Sequence, residues 1–330
     1  MRLAERMRIQ PIDPDRPGEL LTGLYDAYLA GHAHELGPML SKARFSVIAR
    51  EGGPGNRAEM WVMTDGGKVT GGYSLALSQH DNEHMGWVFP LVVRPELRGR
   101  GLGGALLEHV VGRMRTHGRT LLLTETPATG VGARFARAHG FTVAQEEARR
   151  TLDLRTADWP ALRAMLPDVP GYSVEGFFGP AGPELLADLA TLMGGMNDAP
   201  RDPDLEDMTF SLDRLRTREE HVTLSGQTCY TMIARRDSDG APAGYTRVYL
   251  EADRSDTWGH QADTTVLREH RGHRLGLLLK LSNLLWLRER EPHLEQVITW
   301  NATSNAHMLA INEAMGFELL DEWNEWRLTV

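Results

Sequence analysis

A run of eleven residues in this chain returns in altered form. LRGRGLGGALL, residues 97–107, reappears as HRGHRLGLLLK, residues 270–280. At an offset of 173, Val93, Glu96, Arg98, Gly99, Leu102, Gly103 and Leu106 meet Val266, Glu269, Arg271, Gly272, Leu275, Gly276 and Leu279, seven identities in fourteen positions. Farther on, His139 to Phe141 corresponds to Met315 to Phe317 at an offset of 176, as a small insertion between the two motifs produces. Chance does not account for that agreement, so the chain reads as two copies of one unit of roughly 150 residues. The boundaries expected from the repeat are a first domain over 1–155, a connector over 156–171 and a second domain over 172–330.

Each copy carries the same order of patterns. RMRIQPI reads as a strand, and ELLTGLYDAYLAG has apolar residues at helical spacing. EMWVMTD, TGGYSLALSQ and HMGWVFPLVV are three strand-like runs divided by turn formers, which suggests an antiparallel meander. After the glycines, Leu102, Leu106, Val110 and Met114 mark a helical face that stops at Gly118. TLLLTE, VGARFARAHGF and RRTLDL then read as strand, helix and last strand. The second copy repeats the series, from GYSVEGFF to EWRLTV, and TADWPALRAMLPDVP with its three prolines reads as the connector. The expected fold class is α/β: two tandem domains, each a mixed, mostly antiparallel sheet flanked by helices.

Composition narrows the function. A net charge of -9 disfavours nucleic acid and membrane surfaces, which need clustered positive charge, and suits an amine-bearing acceptor. Cys229 is the single cysteine, so no disulfide within the chain and no thiolate zinc site is indicated. The start, MRLAERMRIQPIDP, has no apolar signal core and no run of eighteen apolar residues occurs, so a cytoplasmic location is expected. GHAH (31–34) and HRGH (270–273) lack the carboxylate and histidine set that completes a metal site.

The glycines fit two phosphate-binding patterns. Gly99, Gly101 and Gly104 match the GxGxxG of a dinucleotide fold, with Glu125 near the place of a ribose-binding acid. That fold needs a strand running straight into the first glycine and a parallel βαβ unit from its start. Here RPEL intervenes, three antiparallel-looking strands come first, and the second copy loses the dinucleotide glycines while keeping Arg271, Gly272 and Gly276. No GK[ST] follows either, which excludes a nucleotide-triphosphate loop.

The arginine-led pattern common to both copies, VVRPELRGRGLGGALL, resembles motif A of the GNAT superfamily of acyl-CoA-dependent N-acyltransferases, and the repeat makes the chain similar to the tandem, two-domain members. The resemblance implies acetyl-CoA as cofactor, held at the pyrophosphate by loop amides of Arg98, Gly99, Arg100, Gly101, Gly103 and Gly104 and at the pantetheine by backbone near Val92 and Val93. In the second copy it implies Thr265, Val266 and Leu267, with Arg271, Gly272, Arg274 and Gly276 as the loop. Physics agrees: glycines let the backbone approach phosphates, and a helix N-terminus offers unpaired N–H groups and a favourable dipole. Arg274, at a loop-glycine position, is either a phosphate partner or the mark of a loop no longer in use.

The family's later motif places a cofactor-contacting Asn and a Tyr general acid. At those positions the first copy has Thr129 and Ala136, and the second has Asn305 and Asn312, beside Asn301. Eleven residues before the loop arginine, where many members carry a glutamate base, stand Trp87 and His260. An amine must lose a proton to attack a thioester, and a histidine near neutral pKa suits that task, so His260 is the foremost base candidate. Asp263 reaches the same site only if a bulge interrupts the strand. Glu83, His84 and Glu125 are the candidates in the first copy. The expected function is acetyl transfer from acetyl-CoA to an amine, either a small molecule or a protein amino group, by direct attack. The alternative is an acyl-CoA-binding or scaffold protein with one or both copies degenerate. Trp61, Tyr73, Trp87, Trp258 and Trp300 are read as core with a minority facing an acceptor.

Overall fold

The computed structural model describes residues 7–330, so the strand expected over RMRIQPI begins with Arg6 outside the described residues. The chain forms two compact units, and they are not the two sequence copies. Among the described residues, unit 1 comprises 7–145, 203–206 and 323–330; unit 2 comprises 146–202 and 207–322.

Unit 1 opens with β1 (Arg8–Pro11), α1 (Gly18–His32) and α2 (Lys42–Glu51). The meander follows as β2 (Arg57–Asp65), β3 (Lys68–Leu77) and β4 (Met85–Val93), each antiparallel to the last. A 3-10 turn over Pro95–Leu97 leads into α3 (Leu102–Thr116), then β5 (Leu121–Pro127) and α4 (Gly130–Ala138). The sheet is closed by residues from the far end of the chain: β12 (Glu318–Thr329) pairs antiparallel with β5 from Trp323↔Pro127 to Thr329↔Leu121. Trp326 lies buried among Leu75, Leu106, Val110 and Leu122, and its indole donates to Thr126 Oγ1 at 2.8 Å. On the opposite face α1 and α2 bury Leu21, Leu24, Tyr28 and Phe45 against Val62 and Val92.

Unit 2 uses the strand that ends the first copy. β6 (Thr142–Asp153) pairs antiparallel with β11 (Gln296–Ala302), from Glu147↔Ala302 to Asp153↔Gln296. α5 (Trp159–Ala164) is followed by β7 (Tyr172–Phe178), α6 (Leu186–Gly194), α7 (Leu212–Leu224), β8 (Gln227–Arg236), β9 (Pro242–Glu251), β10 (Trp258–Val266), α8 (Leu275–Arg290) and α9 (Ala306–Ala314). One core sets Leu277, Leu281 and Leu284 of α8 against Val248, Leu250 and Val297. Another sets Leu186, Leu189 and Leu215 against Ile233 and Tyr245. Among the described residues no helix is long and apolar enough to cross a membrane.

The mixed, mostly antiparallel sheets flanked by helices are those expected from the sequence. The copy boundaries at 155 and 172 differ from the structure because the last strand of each copy completes the other unit. Periodicity assigns a strand but not its partner, and the edges of β5 and β11 each accept an antiparallel strand. The repeat reading also passed over α2 and α7, whose polar outer faces hide the period. Their ends were marked: Ser41 and Ser211 cap them by accepting from Arg44 N and Arg214 N, and Gly52 closes α2 at φ +68°. The connector contains α5, capped by Asp158 with Pro160 in its first turn.

Two outcomes are expected. A fragment of residues 1–155 lacks β12 and exposes Leu122 and the β5 edge, so it should be insoluble or molten by near-UV circular dichroism, and co-expression of 203–330 should recover it. In unit 1, burial alone would raise the Glu59 carboxyl, but hydrogen bonds from Arg113, His117 and Trp61 hold it at about 2, below its usual 4.5. A depressed carboxyl contributes stability that is present above the unfolded value and lost as pH falls through the folded one. Glu59→Gln should therefore cost about 2 kcal/mol in urea unfolding at pH 7 and flatten the loss of stability in the acid range.

Candidate active site

The site begins where a parallel pair of strands parts. β4 and β5 pair only at Met85↔Leu121, Gly86↔Leu122 and Trp87↔Leu123. Thr124 Oγ1 then donates to Val88 O at 2.9 Å, and beyond it the two strands follow other partners, β3 and β12. A bulge drives the parting. Tyr73 opposes Leu91 while Leu75 opposes Val88, so Ser74 faces two residues, Phe89 and Pro90. The extra residue bends β4 away from β5.

Beyond the bulge the backbone of β4 has an open edge. Arg94 N donates to Thr70 O on β3 at 2.9 Å. Successive residues of a strand point their backbone groups to opposite sides, so the Val93 amide faces away from β3, into the fork. The Val93 carbonyl is held on that side by Arg98 Nε at 3.1 Å, and Arg98 Nη2 reaches Gly31 O of α1 at 3.1 Å. Arg98 thus ties the loop to β4 and α1. Gly31 is required there, because a Cβ would lie 2.7 Å from Val92 Cγ2. Val92 itself packs against α1 and α2.

The loop after Arg98 turns through two left-handed residues, Gly99 at φ +72° and Gly101 at φ +81°. A Cβ added at either would meet nothing within 4 Å, so both border open space. Gly101 starts α3 without a side-chain cap, and the first helical bond runs from Ala105 N to Gly101 O. The amides of Leu102, Gly103 and Gly104 stand at the positive end of the helix, the arrangement that holds phosphate. The absent side chains of Gly103 and Gly104 have another purpose: a Cβ would sit 3.0 Å from the Phe135 ring and 3.3 Å from His139 Nε2 of the α4 segment. Arg100 is exposed beside this cradle, with Nη2 on Glu96 O.

Unit 2 repeats the construction. β10 and β11 pair from Trp258↔Gln296 to Gln261↔Thr299 and then part. Between Gln261↔Val248 and Thr264↔Thr246, Arg247 faces two residues, Ala262 and Asp263. Arg271 Nε takes Val266 O at 3.0 Å, the counterpart of the Arg98 clamp, but its Nη2 meets Asp198, which Arg268 also binds. Hydrogen bonds from Arg268 and Arg271 lower the Asp198 carboxyl. Gly272 has φ +85°, and Arg274 adopts φ +61° at the start of α8, where the first copy has a glycine. The loop therefore keeps its shape with a residue that pays conformational energy for it. Gly276 faces Ile311 of α9 at 3.4 Å.

Placement sorts the other candidates. The bulge that Asp263 needed is present. His260 opposes Tyr249, and Asp263 accepts from the Tyr245 hydroxyl at 3.1 Å; both tyrosines lie on the α6 and α7 face, so His260 and Asp263 share it. Glu125 lies on β5 past the parting and next to Thr124, so it is at the unit 1 fork. His84 and Glu83 lie before β4, at its other end, where His84 O receives the amides of Thr120 and Leu121. They are not brought to the fork. Asn305 caps α9 by accepting from Met308 N at 3.3 Å. Asn312 is fully buried and donates to Asn301 Oδ1 at 2.7 Å, so it sits inside the unit rather than on a cofactor surface. Trp61 and Tyr73 belong to the core face around His109, whose Nδ1 lies 2.6 Å from the Tyr73 hydroxyl. Leu267 follows β10, its amide on Ala243 O.

Residues 56–143, which contain the fork and loop of unit 1, match the model of the acetyltransferase (GNAT) domain. A tandem GNAT protein from the clavulanic acid biosynthesis pathway is 30% identical, with a TM-score of 0.80 and 98% of each chain covered. The chain belongs to the GNAT family. The tandem GNAT chain is also 28% identical to the mycothiol acetyltransferase of Thermobispora bispora over 92% of its own length and 94% of that protein's. A GCN5-related N-acetyltransferase from Sphaerobacter thermophilus shares the fold at a TM-score of 0.68 and 16% identity, over 98% and 96% of the two chains. Acetyl transfer is the function of this family, and the tandem GNAT chain is an acyltransferase.

Sequence reasoning missed Thr124, Gly31, Asp198 and Arg247, whose roles arise from partners distant along the chain. The left-handed Arg274 yields a direct expectation. Relief of the strained conformation, about 1–2 kcal/mol, exceeds the added chain entropy of glycine. Arg274→Gly should raise stability by about 0.5–1 kcal/mol in denaturant unfolding.

Proposed function

We propose that this protein is an acetyl-CoA-dependent N-acetyltransferase and that unit 1 holds the cofactor. One observation carries the reading: β4 leaves β5 directly ahead of a loop whose left-handed glycines border open space and feed an uncapped α3. The first-turn amides of α3 would hold the pyrophosphate, and the Val93 amide, turned into the fork, would orient the thioester carbonyl. Bound acetyl-CoA supplies the activated acyl group. The chain's part is to position the acceptor amine and take its proton, which we assign to Glu125 at the fork, directly or through one water. The amine nitrogen gains the acyl carbon, the carbon–sulfur bond breaks, and CoA leaves as the thiol or thiolate. Neither Thr129 nor Ala136 offers an acid for that sulfur, so solvent protonates it. Cys229, free and buried, is consistent with the cytoplasm as its location.

The acceptor is a small-molecule amine or a protein amino group; the mycothiol acetyltransferase relative favours the former. Calorimetry with acetyl-CoA should give binding that Gly101→Val abolishes, since a β-branched residue does not adopt the left-handed conformation. Arg98 is unsuitable for that test because its side chain braces the fold. With an amine panel and a thiol-release readout, Glu125→Gln should lower kcat by about 100-fold with unchanged acetyl-CoA affinity. Binding without turnover would favour a scaffold; absence of binding to the folded parent would overturn the reading.

A further inference from the structure

Several arginines in this protein meet a carboxylate through one edge of the guanidinium, the one that carries Nε and Nη2. Arg113 sets Nε and Nη2 on Glu59 at 2.7 and 2.8 Å, and Arg254 sets Nε and Nη2 on Glu291 at 3.1 and 2.7 Å. Arg149 grips Asp321 in the same way. That edge carries two parallel N–H bonds matched to the two oxygens of a carboxylate.

Arg247 keeps this edge empty. Its side chain is fully buried, and it meets Glu219 Oε1 through Nη1 at 2.7 Å and the Tyr249 hydroxyl through the same nitrogen at 3.4 Å. Nε and Nη2 are buried with no partner, and among the described residues no other arginine has both atoms in that state. Glu219 is not available to fill the gap, because Oε2 accepts the Ala181 amide at 2.8 Å. An unanswered donor on a buried charged group carries a full desolvation cost, which an incoming pair of oxygens removes.

The position of the empty edge is specific. Arg247 opposes Ala262 and Asp263, the bulge at which β10 leaves β11. Unit 1 has Ser74 at the equivalent place, and its hydroxyl is closed on Ala49 O at 2.7 Å. Arg218 of α7, 31% exposed, reaches Asp263 Oδ2 at 3.3 Å, longer than a tight charge-assisted bond. Arg218 and Asp263 are the partly exposed members of the cluster.

We propose that the Nε–Nη2 edge of Arg247 anchors a binding site in unit 2 for a small molecule carrying a carboxylate. Binding there is independent of acetyl transfer, so the test reads binding. Acetate and N-acetylglycine each present a carboxylate without demanding the rest of the natural ligand; acetamide and N-acetylglycinamide are their neutral counterparts. In the full-length protein an arginine Nε–H resonance should shift saturably with the acids and stay in place with the amides. Calorimetry should show the acids bound at least tenfold more weakly by Arg247→Lys, which keeps a charge for Glu219 but has no two-pronged edge. If that variant does not fold, Arg247→Gln combined with Glu219→Gln leaves no unpaired buried charge and should lose the same affinity. Equal response to acids and amides in the parent, or unchanged acid affinity in the folded variant, would overturn the proposal.

Discussion

The constraint on which both units depend is one extra residue in a strand. A regular parallel pair hydrogen-bonds along its length and offers nothing to a ligand. The bulges at Phe89–Pro90 and Ala262–Asp263 end that pairing just past Trp87↔Leu123 and Gln261↔Thr299. Backbone groups that a neighbouring strand would have consumed then face an opening. Everything else at the unit 1 site supports this break: Thr124 seals its closed end, Arg98 pins the Val93 carbonyl, and the loop glycines bring the α3 N-terminus to it.

With the frame duplicated, the copies have diverged at equivalent positions. Gly72, Ser74 and Ala76 on β3 correspond to Tyr245, Arg247 and Tyr249 on β9. Small residues in unit 1 admit α2 closely, so that Gly52 has no room for a Cβ against Ala76. Large polar residues in unit 2 build a desolvated network in which burial raises both tyrosine hydroxyls. On the other face, Leu107 and Ala136 of the apolar unit 1 core become Lys280 and Asn312. Burial pushes the Lys280 amine down to about 7, and its nitrogen lies 5.3 Å from the Phe317 ring. Unit 1 kept the glycine loop intact; unit 2 kept the loop's shape and rebuilt its surroundings with charge.

The repeat, the strand order and the glycine loop were legible because they are local. LRGRGLGGALL carries its own signals: glycine for left-handed φ, an apolar period for α3 and a stop at Gly118. The strand positions of Glu125, His260 and Asp263 were also legible, since position in a strand relative to the loop is a matter of counting. His84 and Asn312 were misplaced for the complementary reason: residue type is visible in sequence, but burial and direction are not.

The sequence by itself determined two copies of one fold, the family that fold belongs to and the glycine loop that starts α3, because each is written in neighbouring residues. Only the tertiary structure decided that β12 completes unit 1 and β6 completes unit 2, since an unpaired strand edge does not name its partner along the chain. Only it decided which arginines are braces and which keep unpaired buried donors. A guanidinium is the same group in Arg98, Arg113 and Arg247; its role follows from which oxygens lie within hydrogen-bond reach, and those come from residues far away in the sequence.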